Sequence, residues 1–168
     1  MPKIIENLES KLIEEAHRQV EQSGYGAFTI RSVAKACGVG IGTVYNYFQS
    51  KDDLLASFLL GDWQKCMSAI VSASAQSASP EPVVHCMFDQ LLSYAKRHQA
   101  IFRDETATTN FAGSFSRYHG LLRSQLAAPI RKYCGSDFQA EFIAESLLTW
   151  SMSGKCFDEI YEILKKLF

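Results

Sequence analysis

The chain has no apolar run long enough for a membrane: its longest nearly apolar stretch, Leu54 to Leu60, is about a third of the ~20 residues that a span requires. Met1 to Asn7 carry Lys3 and Glu6, with only Ile4 and Ile5 apolar, so the hydrophobic core of a secretory signal is missing too. Cysteine is odd in number and scattered, at Cys37, Cys66, Cys86, Cys134 and Cys156, with no C-x-x-C pair, which argues against a disulfide scaffold. No His and Cys stand at zinc-site spacing, and no metal or other cofactor is expected. A charge excess is also lacking, since 17 Lys and Arg against 18 Asp and Glu leave a formal net charge of -1. Contact with a polyanion must therefore come from a local patch rather than from the whole-molecule field. With 4 prolines and 10 glycines in 168 residues, collagen-like and low-complexity chains are excluded. These absences describe a protein of the cytoplasm with no membrane partner, too short for two large independent domains.

What is present is a helical pattern. Apolar residues recur at spacings of three and four, the period of amphipathic helices, and strand signals are scarce, which makes the fold class all-α. A first helix with Leu8, Leu12, Ile13, Ala16 and Val20 on one face should stop near Ser23, because Gly24 supplies a helix-ending residue. Thr29 can cap a short helix with Ile30, Val33, Ala34 and Cys37 on one face. Gly38 ends it, and a second short helix, roughly Ile41 to Phe48, follows with Val44 and Phe48 one turn apart. Two short helices joined by a glycine-containing turn outline a helix-turn-helix.

Farther on, Ser50 and Asp53 form a capping box for a long helix that should fade in the small-residue stretch Ser72 to Ser79. Ser79-Pro80 restarts a helix to about His98; a short helix and an irregular link come next, and then a helix that Pro129 should kink or shorten. Ser136 and Gln139 form another capping box, Gly154 breaks the helix that follows, and a last helix runs from Phe157 to Phe168. The natural division is 1–50 and 51–168.

Between Thr29 and Lys51 the charged residues are Arg31, Lys35 and Lys51, with no acid among them, while the flanks are acidic. The hydroxyls and aromatics Thr29, Thr43, Tyr45 and Tyr47 share that segment and suit contact with phosphates. The run from Thr29 to Leu55, with its core G-V-x-x-G-T-V-Y-N-Y-F-x-S-K-D-D-L-L, closely resembles the N-terminal DNA-binding domain of TetR-family transcriptional regulators, and the likeness extends back through Ala16, Gly24, Tyr25 and Phe28. It covers about the first third of the chain.

The resemblance implies a three-helix DNA-binding domain followed by a helical effector-binding and dimerisation domain. Its recognition helix would be Ile41 to Phe48, entering the major groove. By position, Thr29, Thr43, Asn46, Tyr47 and Lys51 are expected at phosphates, and Arg31, Ile41, Gly42 and Tyr45 nearest base edges. Arg31 suits a bidentate pair with guanine, and Gly42 permits close approach. The chain departs from the family where a serine and then a lysine usually precede the Gly-Thr pair: here stand Gly40 and Ile41, and an exposed Ile41 is placed to touch a thymine methyl.

Family members are typically homodimers joined by their last two helices, which assigns Phe138, Phe142, Leu147, Trp150, Ile160, Ile163 and Leu167 to dimerisation. A two-fold dimer demands a roughly palindromic operator. With three phosphates neutralised per subunit by Arg31, Lys35 and Lys51, the log-log salt slope is expected near -5, from ~0.9 per phosphate. The family also implies an unidentified small-molecule effector, and Trp63, Met67, Phe88, Tyr94, Phe102, Phe111, Phe115 and Tyr118 supply aromatics to line its cavity, with His85, His98, Arg103, Asp104, Glu105 and His119 as polar candidates to orient it.

Enzyme motifs fail: Gly38-x-Gly40-x-Gly42 has Thr43 where a dinucleotide fingerprint needs its last glycine, and Gly154-Lys155 lacks the rest of a P-loop. The expected function is a regulator, most simply a repressor released from its operator by the effector. An adaptor that recruits a protein to DNA without a small ligand, or a thiol-responsive regulator, are the alternatives.

Overall fold

The computed structural model describes residues 7–104 and 119–168, and every regular element among them is helical, as the periodicity implies. In chain order these are α1 (Leu8–Ala27), α2 (Ile30–Ala36), α3 (Ile41–Tyr45), α4 (Lys51–Gln76), α5 (Pro80–Arg97), α6 (Gln99–Phe102), α7 (helical residues 119–130), α8 (Asp137–Trp150) and α9 (Phe157–Leu164), with 3-10 turns at Arg131–Tyr133 and Lys165–Leu167. Among the described residues no helix is long and apolar enough to cross a membrane.

Two compact units result. One holds the described residues up to Asp62 and those from His98 to Asp104; the other holds Trp63–Arg97 and residues 119–168. This division by packing is distinct from the functional division expected from the sequence, 1–50 and 51–168.

In the first unit, α1 buries Leu8, Leu12, Ala16 and Val20 along one stripe. Its helical geometry breaks at Gly24, where φ is +77°, a conformation that costs an L side chain strain and costs glycine little. The chain then turns inward and buries Tyr25 and Phe28. α6 packs on α1. Thr29 caps α2 as its sequence suggests, accepting from the Ser32 N–H while Ser32 Oγ accepts from the Thr29 N–H, each at 3.1 Å. α3 is shorter than the span read to Phe48, and Asn46 and Tyr47 lie in the turn that follows it. Phe48 is still buried, and its N–H donates to the Val44 carbonyl.

The caps at Ser50 and Ser136 are half as written. Each serine hydroxyl accepts from the third residue onward, but Asp53 and Gln139 reach back one residue farther than a capping box requires, to the N–H groups of Gln49 and Gly135.

The second unit is built around Ile70, Val83, Met87, Leu126, Ile143 and Leu147, with α5 packed on α8 and α9. α4 does not fade at Ser72 but runs to Gln76. The reason is tertiary: Ser74 is buried and donates to the Pro129 carbonyl at 2.6 Å, while Lys132 Nζ and the Tyr133 hydroxyl donate to the carbonyls of Ser74 and Ser77 and satisfy the helix end. Pro129 shortens rather than kinks, since α7 continues through it for one residue and gives way to the 3-10 turn. Gly154, at φ +82°, separates α8 from α9.

Candidate nucleic-acid interface

The positive segment folds into the helix pair its spacing predicts. α2 ends where Gly38 takes φ +68°, and the Val39 N–H closes on the Ala34 carbonyl at 3.0 Å, so the chain reverses within a few residues and lays α3 against α2. Val33, Val44 and Phe48 fill the space between them and are all but fully buried. What faces solvent is the candidate set: Thr29, Arg31, Ile41, Gly42, Tyr45, Asn46 and Tyr47 are exposed, together with Lys35. Arg31 and Lys35 are one turn apart on α2 and share a face. Thr43 is half-buried. The Thr29 hydroxyl is engaged within the cap of α2, accepting from the Ser32 N–H and donating to Ser32 Oγ, each at 3.1 Å.

Lys51 is placed differently from the others. It is half-buried, its Nζ donates to the Tyr25 carbonyl at 2.7 Å, and it lies 3.8 Å from the centre of the Tyr25 ring. The same Tyr25 donates its phenolic proton to Asp52 Oδ1 at 2.5 Å. A single buried aromatic thus grips both of the first two residues of α4, a cation through ring and carbonyl and a carboxylate through its hydroxyl. The sequence carried a weak signal for this clamp, an aromatic directly after the glycine that ends the first helix, but the partner choice is tertiary.

The described residues of the predicted effector lining fall in two units. Trp63 and Phe88 belong to the core cluster of the second unit and the half-buried Met67 and Tyr94 pack against it, with Trp63 and Tyr94 edge-to-face at 5.7 Å and the indole N–H donating to Gln125 Oε1. Phe102 belongs to the other unit, beside the His98 ring at 6.2 Å. Phe111, Phe115 and Tyr118 lie outside the described residues, as does Glu105.

Of the polar candidates, His98 is buried, 3.5 Å from Asp62 and with its ring 4.5 Å from that of Phe58. That makes it part of the first unit's interior. His85 and Arg103 are exposed, Asp104 is half-buried, and His119 stands 3.6 Å from Glu145.

The dimerisation set also divides. Phe138, Phe142, Trp150 and Ile163 are exposed, Phe138 by 75%, and Phe138, Phe142 and Leu167 line a shallow apolar groove with Gln139. Leu147 and Ile160 are instead in the core, because α8 and α9 turn those positions onto α5. They offer no surface to a second chain.

Burial pushes the thiols of Cys37, Cys86 and Cys134 above their ordinary range, aided at Cys37 by the Glu15 charge and at Cys86 by Asp89. These three are thus protonated at neutral pH, the unreactive form of a thiol. Cys66 is buried and Cys156 exposed. Among the described residues no group of three or more His, Cys, Asp or Glu side chains is arranged to hold a metal ion.

Comparison with known proteins gives one consistent answer. Residues 12–58 match the family described as bacterial regulatory proteins, tetR family. The HTH-type transcriptional regulator YuxN of Bacillus subtilis is 33% identical over 72 residues, 43% of this chain and 25% of that protein. The matches span between about a quarter and half of the length of the curated relatives. Solved structures align over nearly the whole chain at low identity: the TetR family repressor AlkX of Dietzia sp., implicated in biodegradation of n-alkanes, has a TM-score of 0.64 at 16% identity and covers 94% of this chain and 97% of its own. The regulator FadR of Bacillus subtilis, solved with stearoyl-CoA, has a TM-score of 0.57 at 19% identity, covering 94% and 96%.

Proposed function

We propose that this chain, whose residues 12–58 match the tetR family of bacterial regulatory proteins, is a transcriptional regulator of that family that binds an operator in double-stranded DNA through α2 and α3, as a homodimer, and represses transcription until a small effector releases it. Residues 1–50 are the DNA-reading part and 51–168 the effector-binding and dimerisation part. The observation that carries this reading is the exposure of Arg31, Lys35 and Tyr45 on a helix pair that buries Val33 and Val44, with Asn46 and Tyr47 exposed in the turn after it, within a segment free of acid. Cations and hydroxyls of this kind position a protein on phosphates, and the second helix of such a pair reads bases. The protein would act in the cytoplasm.

The exposed apolar residues of α8 and α9 support self-association, since a surface cluster of Phe138, Phe142, Trp150 and Ile163 is costly to leave in water. Two-fold pairing through that face presents two reading heads to a palindrome. The effector is an apolar or amphipathic small molecule, and stearoyl-CoA, bound in the Bacillus subtilis fold neighbour, is the first compound to titrate.

Selection of operators from random duplex DNA with the purified protein tests the core of this proposal. A palindromic consensus bound by two subunits with a steep salt dependence is expected. Enrichment no greater than that of non-specific binding would sink it. Titration of the selected complex with stearoyl-CoA then tests release, and an unaffected complex removes that compound.

A further inference from the structure

The face of α3 has a chemistry unlike that of its neighbour. Its five residues include no charged side chain, and the cations of the helix pair, Arg31 and Lys35, are both on α2. What α3 exposes is Ile41 at 40% and Tyr45 at 50%, one turn apart and therefore on one face, while Val44 turns inward. Glycine stands on both sides of Ile41, and neither fold nor packing demands it. Gly40 and Gly42 have no left-handed φ, a Cβ at Gly42 would meet nothing within 4 Å, and one at Gly40 would make only an ordinary contact with Thr43 Oγ1 at 3.8 Å. A glycine inside a helix costs about 1 kcal/mol against alanine. Ile41 is thus a stiff, β-branched apolar knob raised on bare backbone, beside a cationic helix that suits a polyanion.

In the major groove each base edge presents hydrogen-bonding atoms, and the apolar feature on offer is the methyl group at C5 of a pyrimidine. An isoleucine pressed on a polar edge would strip water from donors and acceptors without replacing their bonds, which is unfavourable; on a methyl it loses nothing and buries apolar surface. The geometry points to Ile41, flanked by Tyr45, as a reader of the C5-methyl group of a pyrimidine in each operator half-site. This inference rests on the DNA-binding reading above and names the chemical group that reading leaves open. Thymine is the ordinary source of that methyl, and 5-methylcytosine is the other.

The test begins with the selected operator and replaces its thymines one symmetric pair at a time by deoxyuridine, which removes the C5-methyl and nothing else. One pair should weaken binding of the unaltered protein by about fourfold per half-site, the worth of one buried methyl, and by roughly fifteenfold for the dimer. I41A should bind the thymine and uracil versions equally, and I41V should keep part of the discrimination. Placing 5-methylcytosine for cytosine in a C·G variant at that position assigns the source: a gain extends the reading to methylated cytosine, and no gain restricts it to thymine. Equal affinity for thymine and uracil at every position overturns the inference while leaving operator binding intact. Undiminished discrimination by I41A also overturns it. Failure to select any operator overturns the DNA-binding proposal together with this one.

Discussion

Removing the Tyr25 hydroxyl isolates one arm of the clamp on α4. In Tyr25→Phe the ring stays, and with it the burial of a side chain only 3% exposed and the 3.8 Å approach of the Lys51 ammonium. What is lost is the 2.5 Å bond to the Asp52 carboxylate. A hydrogen bond to a charged group contributes roughly 1.5–3 kcal/mol. Asp52 is half-buried, so the freed oxygen recovers part of its hydration and the cost falls near the lower end, about 1.5 kcal/mol. For a chain of this size about 1.5 kcal/mol lowers the melting temperature by roughly 3–6 °C. Thermal melting followed by far-ultraviolet circular dichroism, with a urea midpoint as a second readout, measures it. A double-mutant cycle with Asp52→Asn assigns the loss to this contact, since residues in one hydrogen bond couple by about 0.5–3 kcal/mol. Melting within about 1 °C of the unaltered protein, or strictly additive single substitutions, would refute the clamp.

Three further outcomes are expected. Leu147→Ala, at a fully buried core position, should destabilise by about 2–5 kcal/mol, whereas Phe142→Glu on the exposed face of α8 should leave stability nearly unchanged and shift sedimentation toward the monomer. With the Lys51 ammonium engaged by Tyr25, Arg31 and Lys35 carry the phosphate contacts, so the salt slope should fall near -3.6 for about four phosphates per dimer rather than near -5.4 for about six, and Lys51→Met should hardly alter it. The Glu15 carboxyl is held below the usual carboxylate range, first by its hydrogen bond from Arg18, so its contribution to stability is complete above that range and is lost as the pH falls through its lowered value. Urea midpoints of Glu15→Gln and the unaltered protein should therefore differ at neutral pH and converge in acid.

Local chemistry explains which parts were readable. Thr29, Gly38 and the i, i+3, i+4 spacing of Ile30, Val33 and Ala34 determine the first helix of the pair without reference to distant residues, and the structure repeats them. Gly24 and Gly154 were readable for the same reason: their positive φ is a property of the residue and its neighbours. The persistence of α4 past Ser72 was not, because Ser74, Lys132 and Tyr133 meet only after the chain has folded back over more than fifty residues. The dimerisation set shows a related limit. Phe138, Phe142, Leu147 and Ile160 are all bulky and apolar, and helical period places them on helices but does not say which side of α8 or α9 meets α5. The effector set spans two units, with Phe102 in one and Trp63, Phe88 and Tyr94 in the other, a division that a linear pattern does not reveal.

The bare backbone at Gly40 and Gly42 also bears on how such a protein changes its target. The buried side of α3 is held by Val44, while a side chain at Gly42 would meet nothing of its own fold and one at Gly40 would make only an ordinary contact with Thr43 Oγ1, so space for substitution is open on the solvent side. If these positions read DNA as proposed, recognition is loosely coupled to folding there, and a lineage could exchange one operator for another by single substitutions with little compensating change elsewhere. An engineer can use the same freedom: a library randomised at these positions should retain a large folded fraction, so that selection on DNA sorts preference rather than stability.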